Sequence, residues 1–353
     1  MEKTIVLTGG GSAGHVTPNL ALVPQLKADG FQVHYIGSED GIESVLVGER
    51  RDITYHTICV GKLRRYFSLK NFTDPFRVIK GIFQSRRALK RIKPDVVFSK
   101  GGFVSVPVVI AAKGVAPVVT HESDYTPGLA NRINARFSDK VCVAFEDTLA
   151  HVSKKGVHTG TPIRPELFTG DAQRGREFVG FTGEKPVLLA MGGSLGAQAI
   201  NEALREALPE LLGLFDVIHI CGAGKTDESA AQAGYKQYEY ISAELPDVFA
   251  LSDIVVSRAG ANAIFEFLAL AKPALLIPLP LSASRGDQIL NAGYFSRKGY
   301  SMTLEQEKLN ASTLVSTLQS LYDKRLSFIS TMSGDALADG TDEVLAVIRS
   351  CLK

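Results

Sequence analysis

Thr4-Ile5-Val6-Leu7-Thr8-Gly9-Gly10-Gly11-Ser12-Ala13-Gly14-His15 is a β-rich run that ends in glycines. Pro186-Val187-Leu188-Leu189-Ala190-Met191-Gly192-Gly193-Ser194-Leu195-Gly196-Ala197 repeats that plan in the second half of the chain. Helical spacing of apolar residues follows each run: Leu20, Leu22, Val23 and Leu26 within residues 16–28, and the stretch 199–212. Further short apolar runs read as strands at 33–36, 53–60, 94–99, 117–122 and 140–144 in the first half. In the second half they fall at 217–221, 238–241, 254–257 and 274–277, the last one clear from the sequence. Strands alternating with helical patterns predict an open, mainly parallel sheet in each half, covered on both faces. The 353 residues suit two domains. The fold class is therefore α/β, with an aperiodic Pro/Gly-rich hinge at 160–183 and both sets of glycine loops facing a cleft. The boundaries read as 1–163, 164–340, and a C-terminal helix, 341–353, packing back on the first domain.

Composition excludes several classes. Apolar residues are 45% and charged residues 22% of the chain, ordinary values for a globular protein. Cys59, Cys142, Cys221 and Cys351 form no C-x-x-C pair, and the seven histidines show no ligand spacing, so neither a disulfide scaffold nor a metal site is expected. No signal-peptide pattern opens the chain, and no apolar run reaches the roughly 18 residues a membrane span needs, which predicts an intracellular protein. Charge is unevenly distributed. Residues 62–93 hold eleven basic residues and one acidic residue, Asp74, a net +10 in a chain whose total is +2. Such a patch needs an anionic partner or a solvated face to explain it.

Gly9, Gly11 and Gly14 satisfy the dinucleotide pattern G-x-G-x-x-G. Glu39, however, falls 25 residues beyond Gly14 rather than about 20, and His15 is unusual in a cofactor loop. A tight turn without a ligand remains open; so does a histidine placed as a base. In the second half, residues 192–197 and Gly260-Ala261-Asn262 offer backbone N–H groups at helix starts, where phosphate binds without a lysine. No G-K-[ST] follows any glycine run, which excludes a P-loop ATPase. Glu266, five residues after Ala261 among apolar neighbours, either faces solvent or accepts both hydroxyls of a ribose whose phosphates sit at the helix start. Ser284-Arg285-Gly286-Asp287-Gln288 and Asn291 form a polar cluster placed to grip a sugar beyond the diphosphate.

Six motifs in register over most of the chain carry a resemblance. They are residues 9–15 with Val16-Thr17-Pro18; His121-Glu122-Ser123-Asp124 with Pro127-Gly128 and Asn131; Gly160-Thr161-Pro162-Ile163-Arg164; residues 192–197; Arg258-Ala259-Gly260-Ala261 with Glu266; and Asp287-Gln288 with Asn291. Together they resemble the bacterial N-acetylglucosaminyltransferases of peptidoglycan synthesis, the MurG family, in its low-GC Gram-positive form. The resemblance implies a GT-B fold, two Rossmann-like domains facing across a deep cleft, with acceptor on the first and UDP-sugar on the second. It implies transfer of GlcNAc from UDP-GlcNAc to the 4-hydroxyl of MurNAc in lipid I with inversion, giving lipid II and UDP. No cofactor and no obligatory metal are expected.

By position, the resemblance gives His15 and Asp124 as catalytic candidates, with His15 either base or acceptor-diphosphate contact. Gly11, Ser12, Ala13, Gly14, His15, Glu122 and Asn131 fall on the acceptor side. Ser12 replaces a commoner threonine, Ala13 a glycine, and Asp124 an asparagine, which favours sugar-hydroxyl binding or base chemistry over a diphosphate contact at Asp124. Arg164, Gly193, Ser194, Arg258, Ala261, Asn262, Glu266, Asp287, Gln288 and Asn291 fall on the donor side, with uracil meeting backbone near Ile241. The basic segment then reads as a membrane face. Arg64, Arg65, Arg86 and Arg87 attract an anionic cytoplasmic leaflet, and Phe67, Phe72, Phe76 and Phe83 insert. This gives a peripheral protein on the cytoplasmic side of the cell membrane, working with other cell-wall synthesis proteins and with no nucleic acid. The alternatives are a glycolipid glycosyltransferase or UDP-GlcNAc 2-epimerase of the same fold, or a UDP-sugar sensor without turnover.

Overall fold

Ile5, Val6 and Leu7 are all completely buried, so the first strand is covered on both faces and reads as a continuous apolar run, not an alternation. The computed structural model describes residues 3–61, 70–152, 154–193 and 196–352, with the backbone alone for 70–73. It divides into two compact units, residues 1–164 with 339–353, and residues 165–338.

The first unit runs β1 (Lys3–Thr8), α1 (Thr17–Ala28), β2 (Phe31–Gly37), α2 (Ile42–Gly48), β3 (Thr54–Thr57), α3 (Lys70–Ile92), β4 (Val96–Ser99), α4 (Ser105–Ala112), β5 (Val118–Glu122), α5 (Leu129–Phe137), β6 (Lys140–Val143) and β7 (Gly156–His158). These strands form one parallel sheet in the order β3-β2-β1-β4-β5-β6-β7. The second unit runs α6 (Ala172–Val179), β8 (Val187–Met191), α7 (Gln198–Leu214), β9 (Asp216–Ile220), β10 (Tyr235–Tyr238), α8 (Leu245–Leu251), β11 (Ile254–Ser257), α9 (Ala261–Ala269), β12 (Ala274–Leu276), α10 (Asp287–Arg297), β13 (Ser301–Thr303), α11 (Ala311–Asp323) and α12 (Arg325–Ser333). Its sheet is also parallel, in the order β10-β9-β8-β11-β12-β13. In both sheets the winding reverses beside the first strand, between β1 and β4 and between β8 and β11. That reversal is where open α/β sheets bind ligands.

Helix α13 (Thr341–Ser350) returns to the first unit. Its Val344, Leu345 and Ile348 are fully buried in one core with Ile5, Leu22, Val23 and Leu26. Arg349 bonds Asp29 at 2.6 Å. The N–H of Gly340 donates to the carbonyl of Thr161 at 3.0 Å, and a Cβ at Gly340 would collide with the carbonyl oxygen of Thr159, so the chain crosses itself tightly there.

Three local expectations change. The stretch 160–183 is not aperiodic: it contains α6, capped by the Asp171 carboxylate on Arg174 N–H and ended by Gly180 at φ 70°. Eight residues are too few for the period to register by eye. The strand expected at 238–241 lies at Tyr235–Tyr238, leaving Ile241 buried beyond its end. Beyond 274–277, the last strand clear from the sequence, the three-residue β13 pairs alongside β12. The strand expected at 53–60 spans only Thr54–Thr57.

Helix α3 carries the +10 segment's second half. Its inner side holds Gly81, Ser85 and Leu89, whereas Phe76 and Phe83 are 74% and 70% exposed, with Ile79 exposed between them. Arg86 is not on that outer face. Its guanidinium donates to the carbonyls of Ala111 and Lys113, closing the end of α4. Arg64, Arg65 and Phe67 lie outside the described residues, as does the side chain of Phe72. Among the described residues no helix is long and apolar enough to cross a membrane.

Candidate functional site

At the first reversal, three strand ends meet: Gly9 after β1, Lys100 after β4 and Glu122 closing β5. The glycine loop does not lead directly into a helix. Ala13–His15 form a 3-10 turn, and α1 begins only at Thr17, so His15 closes that turn and does not sit at a helix N-terminus. The N–H of Gly11 already has an acceptor, because Glu43, fully buried on α2, takes its hydrogen bond at 3.1 Å. The other oxygen of Glu43 accepts from Ser38 N–H at 3.2 Å and from Ser38 Oγ at 2.5 Å. A Cβ on Gly10 would stand 2.5 Å from that carboxylate, so close approach of backbone to Glu43 is what this glycine serves. At φ +85°, Gly11 packs where a Cβ would meet the Phe103 ring. Gly11 is therefore not an open phosphate contact through its N–H. Ser12 is exposed, and Ala13, Gly14 and His15 are half-buried.

Across the reversal, Lys100 is 1% exposed. Its ammonium donates to His121 Nδ1 at 2.9 Å and to Ser123 Oγ. His121 Nε2 faces the carbonyl of Gly160 at 2.8 Å. A carbonyl only accepts, so Nε2 carries the hydrogen and Nδ1 offers the lone pair to Lys100. Burial, helped by Lys100, holds the imidazole well below its usual value, and it stays neutral. Both nitrogens are occupied, which removes His121 as a base.

Glu122 is equally enclosed, at 4% exposure. One oxygen accepts from Asp124 N–H at 2.9 Å; the other accepts from Gly128 N–H at 3.1 Å and Asn131 Nδ2 at 3.0 Å. Burial, and then the charge of Asp124, raises its pKa. Asn131 also donates to the carbonyl of His121, so it is buried and orients Glu122 from inside. Asp124 is the more exposed carboxylate of this loop.

The second reversal is open. Gly192, Gly193, Gly196 and Ala197 between β8 and α7 line a pocket of about 660 Å³, together with Ser257, Arg258 and Gly260 between β11 and α9, and Gln288 on α10. Nothing lies within 4 Å of a Cβ built on Gly193 or Gly260, so the backbone there faces space. Ala263 lines the pocket, and half-buried Glu266 is three residues further along the same side of α9. Gln288 Oε1 accepts from Leu279 N–H at 3.0 Å, which leaves its NH₂ as the group to offer. Lys225, Glu202 and Gln306 also line the pocket and are not expected from the sequence. Only the lysine, following Gly222-Ala223-Gly224, carries a signal that could have found it.

The other donor-side residues differ in how far they face the pocket. Asn291 is completely buried and donates to the carbonyl of Ala259, so it shapes the loop from behind. Arg258, 9% exposed, directs its guanidinium to the carbonyls of Ile277 and Pro278, and burial lowers its pKa. Asp287 pairs with Arg285 at 2.6 Å. Ala261 and Asn262 open α9, and Ile241 is not among the lining residues. Arg164 ends the first segment of its unit, and Ser194 lies outside the described residues. Among the described residues no three His, Cys, Asp or Glu side chains are grouped to hold a metal ion.

Two parallel sheets, each with its own winding reversal, define a two-unit doubly wound α/β architecture. Residues 5–143 match the N-terminal domain of glycosyltransferase family 28, and residues 187–344 match its C-terminal domain. The chain belongs to that family, and its architecture is the GT-B fold. It is 52% identical, over 99% of its own length and 98% of the relative's, to the UDP-N-acetylglucosamine–N-acetylmuramyl-(pentapeptide) pyrophosphoryl-undecaprenol N-acetylglucosamine transferase of Clostridium tetani. The enzyme of the same name from Geobacillus thermodenitrificans is 53% identical over 99% of both chains. The crystal structure of MurG from Acinetobacter baumannii superposes with a TM-score of 0.77 at 26% identity, covering 99% of each chain.

Glu43→Ala would leave the N–H groups of Gly11 and Ser38 without their acceptor. The expected loss is about 1–3 kcal/mol of stability, read by denaturant unfolding, with faster hydrogen exchange at Gly11. Unchanged exchange there would mean that the loop holds itself.

Proposed function

We propose that this chain transfers GlcNAc from UDP-GlcNAc to the 4-hydroxyl of MurNAc in undecaprenyl-diphosphate-MurNAc-pentapeptide (lipid I), inverting the anomeric centre and releasing lipid II and UDP. The observation that carries this reading is the 52–53% identity, over nearly the whole chain, to enzymes named for that donor and acceptor. The open pocket of the second unit supports it. The N-termini of α7 and α9 favour a diphosphate through their leading N–H groups and helix dipoles, and developing charge on departing UDP is stabilised by the same groups, without a divalent ion. Glu266, one turn along α9 from Ala263, is then the acceptor for the ribose diol, and Gln288 meets GlcNAc.

On the acceptor side, one base must remove the 4-hydroxyl proton as the oxygen attacks the sugar. His121 has both ring nitrogens engaged, and Glu122 is enclosed behind three internal donors, leaving Asp124 and His15. Asp124 is the better base, because its loop is fixed by the three hydrogen bonds to Glu122, whereas His15 ends a short 3-10 turn. His15 is assigned to binding the acceptor. Helix α3 brings the enzyme to its lipid: exposed Phe76, Ile79 and Phe83 lie among Arg77, Lys80, Arg87 and Lys90, a pattern that anionic bilayers attract and retain.

Turnover with UDP-GlcNAc and a short-chain lipid I analogue, followed by product mass, tests the function directly. Asp124→Asn is expected to lower kcat by about 10²–10⁴-fold, and His15→Ala mainly to raise the acceptor KM; the opposite pattern exchanges their roles. Activity must survive EDTA, and strict dependence on Mg²⁺ or Mn²⁺ would refute the metal-free account. Lack of transfer alongside tight UDP binding would favour a sensor.

For the donor, Glu266→Ala is expected to weaken UDP binding by about 1.5–3 kcal/mol, the scale of a hydrogen bond to a charged group. Calorimetry decides, and equal affinities would remove Glu266 from the site.

Binding to anionic vesicles is expected to fall steeply with salt yet keep a residual part, since screening acts on the charges and not on the buried rings. Lys80→Glu with Arg87→Glu should remove the steep part, and Phe76→Ser with Phe83→Ser the residual. Loss of activity on a soluble acceptor in either pair would assign the face to the fold instead.

A further inference from the structure

Lys100 has no place in the scheme above, yet it is a cation enclosed beside the acceptor loop. It follows Ser99, where β4 ends, and its stem passes behind Gly9 toward the end of β5. Its ammonium is held by His121 Nδ1 at 2.9 Å and by Ser123 Oγ, the residues on either side of Glu122. His121 is in turn locked to Gly160. A buried charge costs several kcal/mol unless opposite charge is close. Here the opposite charge is Glu122 and Asp124, two carboxylates two residues apart that repel one another.

We propose that Lys100 is a positioning residue for the acceptor-side carboxylates: its ammonium, fixed between His121 and Ser123, opposes the mutual repulsion of the Glu122–Asp124 pair and holds its loop in one shape. This rests on Asp124 being the base. In support, the two carboxylates draw the lysine pKa up against the stronger downward pull of its own burial. The remaining ionisable neighbours do not replace it. Cys142 on β6 is pushed up to about 12 by burial and stays neutral. Asp147 accepts from the Tyr125 hydroxyl, and Arg132 directs its Nε to the carbonyl of Pro127. His121 is neutral by its bonding. The one enclosed cation beside the pair in this set is Lys100.

The test is carboxyl titration of the pair by ¹³C NMR, in the full chain and in Lys100→Met, with the pH profile of kcat/KM measured in parallel. Removing a cation favours the protonated carboxyl, so the pair's titration is expected to move upward by about one pH unit or more, and the acidic limb of kcat/KM with it. UDP affinity, governed by the other unit, should not move. If Lys100→Met does not fold, Ser123→Ala removes one anchor of the ammonium and should give a smaller shift of the same sign. Carboxyls that titrate at the same pH in wild type and variant overturn the proposal. If the NMR shift occurs while the kcat/KM limb stays fixed, Lys100 retains its role and Asp124 loses that of base; undiminished turnover in Asp124→Asn would likewise remove Asp124 as the base.

Discussion

A parallel sheet whose winding reverses beside its first strand cannot close the gap between the two loops that leave there. One loop carries the chain to the front face and the other to the back, so their backbones diverge. In this protein the gap recurs between β1 and β4 and again between β8 and β11. Each gap is edged by backbone N–H groups that no strand partner can satisfy, and it must be filled by the protein or by a ligand. The rest of the chemistry depends on how each unit answers that demand.

The first unit largely fills the gap from within. Glu43 takes the N–H of Gly11, Tyr35 donates to the carbonyl of Gly9, and Lys100 extends to His121. The loop N–H of Gly11 is thereby closed to an outside anion. In the second unit nothing among the described residues stands within 4 Å of a Cβ on Gly193 or Gly260, and Lys225 lies on the pocket wall with Glu202. That arrangement suits a large anion. Two glycine loops of similar sequence thus have opposite electrostatic characters, and a carboxylate 32 residues away from one of them makes the difference.

The same contrast explains which features are legible in the sequence. Strands buried on both faces announce themselves as apolar runs, so β1, β4, β5, β8 and β11 can be placed closely, and so can the loops after them. Short or edge elements, such as β13 and α6, carry too few residues for a period. Polar residues pose a different difficulty. Asn131 and Asn291 sit where a ligand contact is expected, but their amides satisfy internal carbonyls, and Arg86 serves the carbonyls ending α4. A motif marks a residue as needed at a position; it does not say whether the side chain points to a ligand or holds the loop that does. Glu43 and Lys100 escape a sequence reading for the converse reason, since a charge enclosed by the fold looks in sequence like any surface charge.

Helix α13 gives the first unit an unusual history during synthesis. Its core is completed by Val344, Leu345 and Ile348, which the ribosome makes only after all of residues 165–338. Until they emerge, Ile5, Leu22 and Leu26 lack part of their cover, and a nascent chain holding the basic, phenylalanine-bearing α3 is already outside. The second unit is continuous in sequence and can finish first. The order of maturation is therefore the reverse of the order of translation: the half proposed to meet the membrane is the later one to reach its final packing.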